Sequence, residues 1–251
     1  MKTFYFTATG NCLYVAKRIG GDLYSIPQMM KDDKREFEDD AIGFVFPCYG
    51  FGVPRMVIDF IQRSKFKANY FFAIMTYGNI AAAGLNHLEE VSSKANIQIN
   101  YTNKVLMIDN YLPGFKIEDQ LEKESSKKIE VQLNQIVSDI TGRRNKLKRK
   151  GAASIVISKA IHKFFVTNKY DVGDKKFIVQ DNCNGCKVCE QVCPKNNIRV
   201  ETKPEFLHKC DICYACIHHC PQRAIRLKSE KSKTRFINQH VKLKEIIDAN
   251  Q

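Results

Sequence analysis

No run of about 18 apolar residues occurs in this 251-residue chain, so no segment is long and apolar enough to cross a bilayer as a helix. Two nucleotide-binding signatures are also missing. There is no G-x-G-x-x-G for a dinucleotide, and no Gly-Lys-Ser/Thr for a P-loop. Spacing supports neither a Ser–His–Asp set nor paired carboxylates, so no catalytic side chain is assigned, and no recognised nucleic-acid motif is present. The opening MKTFYFTATG has a strand-length apolar run that stops at a glycine, unlike the long apolar core and cleavage site of a signal peptide. A cytoplasmic location is therefore expected.

Cysteine is the residue in unusual supply, with ten copies. Without a secretory context, close spacing points to metal rather than disulfides. Cys12 and Cys48 stand apart; the other eight form two runs. Cys183, Cys186, Cys189 and Cys193 follow C-x2-C-x2-C-x3-C, and so do Cys210, Cys213, Cys216 and Cys220. Each run is followed by proline, Pro194 or Pro221, which turns the chain. Zinc also takes C-x2-C pairs. A third cysteine at the same interval, used twice, favours two [4Fe–4S] clusters in which the fourth cysteine of each run serves the other cluster. That pattern assigns Cys183, Cys186, Cys189 and Cys220 to one cluster, and Cys210, Cys213, Cys216 and Cys193 to the second. Gly185 suits close approach to sulfide, and Phe177, Ile198 and Phe206 are expected to exclude water. His208, His218 and His219 flank the second run; exposed polar surface is expected for most of them. Two clusters exchanging ligands lie close together, which suits conduction more than stapling.

Before the cysteines, strand and helix patterns alternate. Apolar runs at 2–8, 41–50, 70–79 and 101–111 read as strands, with helical periodicity between them, which argues an α/β domain with helices on both faces of a parallel sheet. Residues 117–140 read as one long polar helix. Residues 143–150, RRNKLKRK, are read as a solvated linker or helix end rather than a nucleic-acid contact. The net charge of +13 is uneven: +1 over 1–115, +7 over 116–180 and +5 over 181–251. Bound thiolates and a phosphate cofactor would offset part of it. The rest suits redox partner proteins with acidic docking surfaces, held in weak, fast encounters.

The turn TATGNC, with Thr7, Ala8, Thr9, Gly10, Asn11 and Cys12 followed by Leu13, joins the first strand to the first helix. Its hydroxyls and the helix N-terminus suit an anion. Pro47, Cys48, Tyr49 and Gly50, and then Thr76, Tyr77, Gly78 and Asn79, follow two later strands. In open α/β sheets that edge receives ligands. Two tyrosines beside a phosphate loop describe an FMN site. Cys48 is read as an ordinary small loop residue there.

FTATGNCLYVAKRI, FPCYGFGVP, TYGN, DNYLPG and the two cysteine runs, in that order, resemble the flavodoxin–ferredoxin fusion family of anaerobic bacteria and archaea. The resemblance implies a flavodoxin-like doubly wound five-stranded parallel sheet of order 2-1-3-4-5 and a small α+β ferredoxin-like domain with two [4Fe–4S] clusters. It further implies bound FMN and an electron-transfer role. The expected layout is a flavin domain over 1–150, a helical linker over 151–180, the cluster domain over 181–228 and a partly helical tail over 229–251. Cys12 departs from the hydroxyl usual at that position, and a thiol is the weaker donor. An FMN-dependent reductase of a small molecule, fed through the clusters, is the alternative. A basic binding protein with structural or sensing clusters is the third reading.

Overall fold

The computed structural model describes all 251 residues. Its centre is a five-stranded, fully parallel sheet made of β1 (Lys2–Tyr5), β2 (Asp22–Ser25), β4 (Ala41–Pro47), β6 (Tyr70–Tyr77) and β7 (Tyr101–Leu106), in the order β2-β1-β4-β6-β7. Two short strands, β3 (Glu36–Glu38) and β5 (Lys65–Lys67), pair only with each other. Side chains alternate between faces along each strand. Phe4, Phe6, Phe44, Phe46 and Met75 therefore meet α2 (Ile26–Lys31), α3 (Arg55–Arg63) and α4 (Gly84–Lys94) on one side. Tyr5, Val45, Phe72, Ile74 and Tyr101 face α1 (Asn11–Ile19) and α6 (Ile129–Thr141) on the other. Burial on both faces explains the continuous apolar runs. The first core contains a ring of aromatics around Phe4, whose ring centroid lies 4.8 Å from Phe37 and 5.1 Å from Phe60.

The single helix expected over 117–140 is divided. It consists of α5 (Ile117–Glu122), a 3₁₀ turn at Ser125–Lys127, and α6 after Lys128, which sits at φ 48°. The division turns the Lys127 side chain inward, where its Nζ donates to the carbonyl of Gly78 at 3.1 Å. The basic run is likewise more than a linker. Lys146 lies beside β7, accepting from Thr102 N at 2.9 Å, and Lys148 N donates to Thr102 Oγ1 at 2.7 Å. Arg149 pairs with Glu89 at 2.6 Å. The segment thus covers an edge that would otherwise present unpaired backbone.

Helix α7 (Ala152–Phe165) is fastened over the carboxyl edge of the sheet. His162 Nδ1 donates to Tyr49 O at 2.8 Å, and Ala83 N donates to Ser158 Oγ at 3.2 Å. Gly52 lets the ring of His162 pack directly on the loop, since a Cβ there would fall 2.4 Å from it. His87 stacks edge-on against His162 and accepts from Val53 N at 3.2 Å.

The cysteine region is a repeat. β8 (Phe177–Val179), α8 (Val188–Gln191) and β9 (Ile198–Val200) recur 27 residues later (183 to 210) as β10 (Pro204–Phe206), α9 (Ala215–His218) and β11 (Ile225–Leu227). The strands pair across the repeat, β8 with β11 and β9 with β10, both antiparallel. Left-handed residues keep the same offset: Gly185 and Ile212, Lys187 and Tyr214, Asn196 and Arg223. The tail then returns to the sheet. Asn238 N donates to Thr9 O at 2.8 Å, and α10 (Leu243–Asn250) packs on α2.

Phe4→Ala is expected to cost about 3–5 kcal/mol, since it empties the centre of the aromatic cluster; urea unfolding measures it. Burial holds the His87 pKa down to about 4 from 6.5. The unfolded ring therefore binds a proton between those values while the folded one does not, so stability is complete above pH 6.5 and falls as pH drops through the window. The loss is expected to reach roughly 3 kcal/mol. Unfolding of the wild type and of His87→Gln from pH 7.5 to 4.5 isolates it, the variant showing the smaller decline.

Candidate functional site

Four loops at the carboxyl edge of the sheet enclose a cavity of about 320 Å³. Thr7, Ala8, Thr9, Asn11 and Cys12 follow β1; Pro47, Cys48, Tyr49 and Gly50 follow β4; Thr76, Tyr77, Gly78 and Asn79 close β6. Of the residues expected around a cofactor, only Gly10 and Leu13 do not line it. Leu13 is in the core beneath α1. Gly10, at φ 100°, turns its α-carbon toward the tail, where a Cβ would meet Asn238 at 2.9 Å.

The loop after β1 is built from neutral donors. Thr7 Oγ1 accepts from Gly10 N at 3.2 Å, which draws the turn tight, and no side chain caps α1. The first-turn N–H groups of that helix are therefore left without a side-chain acceptor, as an anion site requires. Cys12 is not a surface donor. Its thiol is buried against Thr76 Oγ1 at 3.2 Å, and burial pushes its pKa up to about 12. The buried hydroxyl of Tyr49 has no partner, an orphan that a ligand's polar atom would satisfy. Asp109 is the only carboxylate in the wall, and burial raises its pKa.

Besides Phe51 and Ile80, which extend two of the expected loops by one residue, sequence reasoning missed three groups of lining residues. Ile108, Asp109, Asn110, Tyr111 and Phe115 follow β7, and the strand-end argument applied to a fourth loop would have found them. Ile161, Phe165 and Val166 come from α7 and its end, for which no local signal exists. Ile212, Cys213 and Tyr214 belong to the second cysteine run.

The cysteines sort into two groups. Cys183, Cys186, Cys189 and Cys220 surround one small cavity with Gly185 and Pro221. Cys216 is within electrostatic reach of Cys213, Cys193 and Cys210 and, more weakly, of Cys189 from the first group. All ten cysteines are free. Backbone N–H groups already point at sulfur: Asn197 to Cys193 at 3.3 Å, Ile212 to Cys210 at 3.2 Å, and Ala224 to Cys220 at 3.3 Å. Burial pushes Cys189 and Cys210 up to about 12, so these thiols stay protonated until a cation stabilises the thiolate. The thiol arrangement and its N–H donors fit iron–sulfur clusters, and the neutral anion loop with its orphan hydroxyl fits a flavin phosphate and ring. Cys186 alone among the eight is exposed.

Two of the flanking histidines are buried, against expectation. His218 Nε2 donates to Asn110 O at 3.0 Å, and its Nδ1 accepts from Phe236 N at 3.2 Å. His219 Nε2 donates to Ala8 O at 2.9 Å. Burial lowers both pKa values, so both rings are neutral. They are hydrogen-bonded pegs rather than surface groups. His208 remains exposed at its edge, its ring on Asp174 at 2.8 Å. Arg55 reinforces the join, holding Asp171 at 2.7 and 2.8 Å and Asp211 at 2.8 Å.

No curated protein matches the chain. Among solved structures it is similar to "The Structure of Trp Repressor Binding Protein from Bacillus subtilis", at 15% identity over 60% of this chain and 99% of that one. The TM-score of 0.33 is too low for that likeness to carry an argument. Residues 176–199 match the Fer4 family, the 4Fe-4S binding domain. That match supports a 4Fe-4S cluster in this segment and, with it, iron–sulfur electron transfer.

Proposed function

We propose that the chain is an electron-transfer flavo-iron–sulfur protein with two [4Fe–4S] clusters and one FMN, exchanging electrons with acidic redox proteins. The observation that carries this reading is the shared wall: Cys213 and Tyr214, from the second cysteine run, line the same cavity as the phosphate loop and the two tyrosine loops. Clusters supply single-electron exchange, and a flavin stores one or two. Thr7, Thr9 and the first turn of α1 would hold the flavin phosphate. Tyr49 and Tyr77 would flank its ring, and α7 would keep water from it. Leu13 and Gly10 would support that loop from behind.

Three further observations support the finer assignments. The repeat offset by 27 residues gives the second run the same local framework as the matched segment 176–199. The grouping of the thiols supports the exchanged sets, with Cys220 serving Cys183, Cys186 and Cys189, and Cys193 serving Cys210, Cys213 and Cys216. Counted among themselves, the strands of the central sheet run 2-1-3-4-5, in keeping with a flavodoxin-like domain. The proposed division remains 1–150, 151–180, 181–228 and 229–251, in a cytoplasmic protein. The exposed Cys186 lies beside Lys187, and Arg199 and Lys203 are nearby in sequence, which suits an acidic partner.

The second reading, an FMN-dependent reductase of a small molecule, is favoured by Asp109, a carboxyl whose raised pKa suits it to hold a proton at the cavity wall.

Anaerobic reductive titration of the purified protein tests the first reading. Bound FMN, about eight irons and about four electrons per chain are expected. Two electrons with no flavin, despite added FMN, would reduce the sheet to a scaffold. Cys220→Ser is expected to perturb the electron paramagnetic resonance signal of the accessible cluster, and Cys193→Ser that of the buried one; the reverse assignment would overturn the exchange. Electron exchange with an acidic ferredoxin-type protein should slow as ionic strength rises, and a salt-independent rate would remove the basic docking surface.

A further inference from the structure

A second cavity, of about 440 Å³, adjoins the first and shares Gly78, Asn79 and Phe115 with it. The two differ in charge. No lysine or arginine lines the first, whereas Lys116, Lys123, Lys127 and Lys231 line the second against one carboxylate, Asp119. None of these four lysines is in an ion pair.

Lys127 is the telling member. Only 9% exposed, it donates from Nζ to Gly78 O at 3.1 Å and to Gln120 Oε1 at 3.4 Å. An ammonium has three donors, so one remains, and no carboxylate touches it. Asp109 and Glu124 act on it only from beyond ion-pair distance; a buried cation lacking a direct partner is costly, and like charges around one void repel. Lys116, Lys123 and Lys231 are exposed at the rim, and the left-handed turn at Lys128 with the broken helix before it sets Lys127 inward behind them. An anion in the cavity would meet the spare donor of Lys127 and neutralise charge at the rim.

We propose that this cavity binds a small phosphorylated molecule, with its phosphate group held by Lys127, Lys116, Lys123 and Lys231. Four ammonium groups against one carboxylate leave an excess of three positive charges. A phosphate ester supplies about −1.5 to −2 and three acceptor oxygens, a better match than a monocarboxylate. The shared wall at Gly78, Asn79 and Phe115 points the remainder of that molecule toward the sheet-edge cavity. The anion site stands on these lysines alone. Its relation to a flavin rests on the reading above.

Calorimetric titration of the full, cofactor-replete chain with glycerol phosphate at low ionic strength tests the proposal, with inorganic phosphate, malonate and sulfate in parallel. Saturable binding of one glycerol phosphate per chain is expected, weakened about tenfold by Lys123→Gln or by Lys231→Gln, equivalent to about 1.4 kcal/mol each. These two side chains make no hydrogen bond, so folding does not confound them, whereas Lys127→Gln, expected to weaken binding further, also loses its bond to Gly78. Lys94→Gln on α4 should leave binding unchanged. No saturable binding, or equal losses from Lys94→Gln and Lys123→Gln, would overturn the site. Tighter binding of malonate or sulfate than of glycerol phosphate would overturn the ligand class. Flavin content is read on the same samples. Phosphate binding that survives in flavin-free protein upholds the site even where the FMN reading fails; loss of FMN with each lysine variant would make this the cofactor's own phosphate site and sink the proposal.

Discussion

The arrangement depends on two buried imidazoles. His219 reaches the carbonyl of Ala8 in the loop after β1, and His218 reaches that of Asn110 in the loop after β7. Both follow Cys216 and precede Cys220, so the segment that carries the cysteines is bonded directly to the ligand edge of the sheet. A neutral imidazole suits this task because one ring nitrogen donates to a carbonyl while the other stays an acceptor, with no charge to desolvate. His218 uses both, taking its second bond from Phe236 N. With these pegs in place, Cys213 and Tyr214 stand in the wall of the sheet-edge cavity.

Around this join, charge and polarity are divided by region. The sheet-edge cavity is lined mainly by apolar and neutral polar groups, with Asp109 its one carboxylate. Cationic groups collect beside it, along the broken helix. Arg55 makes the opposite bargain, entering a partly buried place only by pairing with Asp171 and Asp211. Its planar fork serves two carboxylates at once, a geometry lysine lacks. The second cysteine run is thereby gripped from α3 as well as from the loop after β1.

The sequence was most legible where chemistry is local. The cysteine spacing, the apolar strands of the sheet and the three loops around Thr7, Tyr49 and Tyr77 depend on neighbours within a few positions, and the structure brings those loops to one cavity. Illegibility tracks sequence separation. His218 and His219 sit in a polar-looking stretch, and nothing nearby announces that their partners lie 108 and 211 residues away. Residues 117–140 failed for another reason. The helical spacing of Ile129, Leu133, Ile136 and Ile140 is genuine, but α5 stops at Glu122, ahead of the weak helix formers Ser125 and Ser126, and the 3₁₀ turn that follows sets Lys127 inward. The basic run resisted reading because its role is played by backbone: Lys146 and Lys148 cover the edge of β7 through main-chain groups, whatever their side chains.

The tail gives the molecule an order of assembly. Asn238 N closes on Thr9 O across 229 residues, and Asn238 Nδ2 bonds to Asn11 Oδ1 at 3.0 Å. During synthesis the sheet strands can pair well before that contact exists, since β1 to β7 are complete by residue 106. The cysteine repeat must wait longer, because β8 pairs with β11 and the first thiol group needs Cys220. Contacts this distant in sequence form late. The back of the loop after β1 is therefore among the last surfaces to be covered, and the core on that side of the sheet is completed only when Val241, Ile246 and Ala249 of the tail arrive.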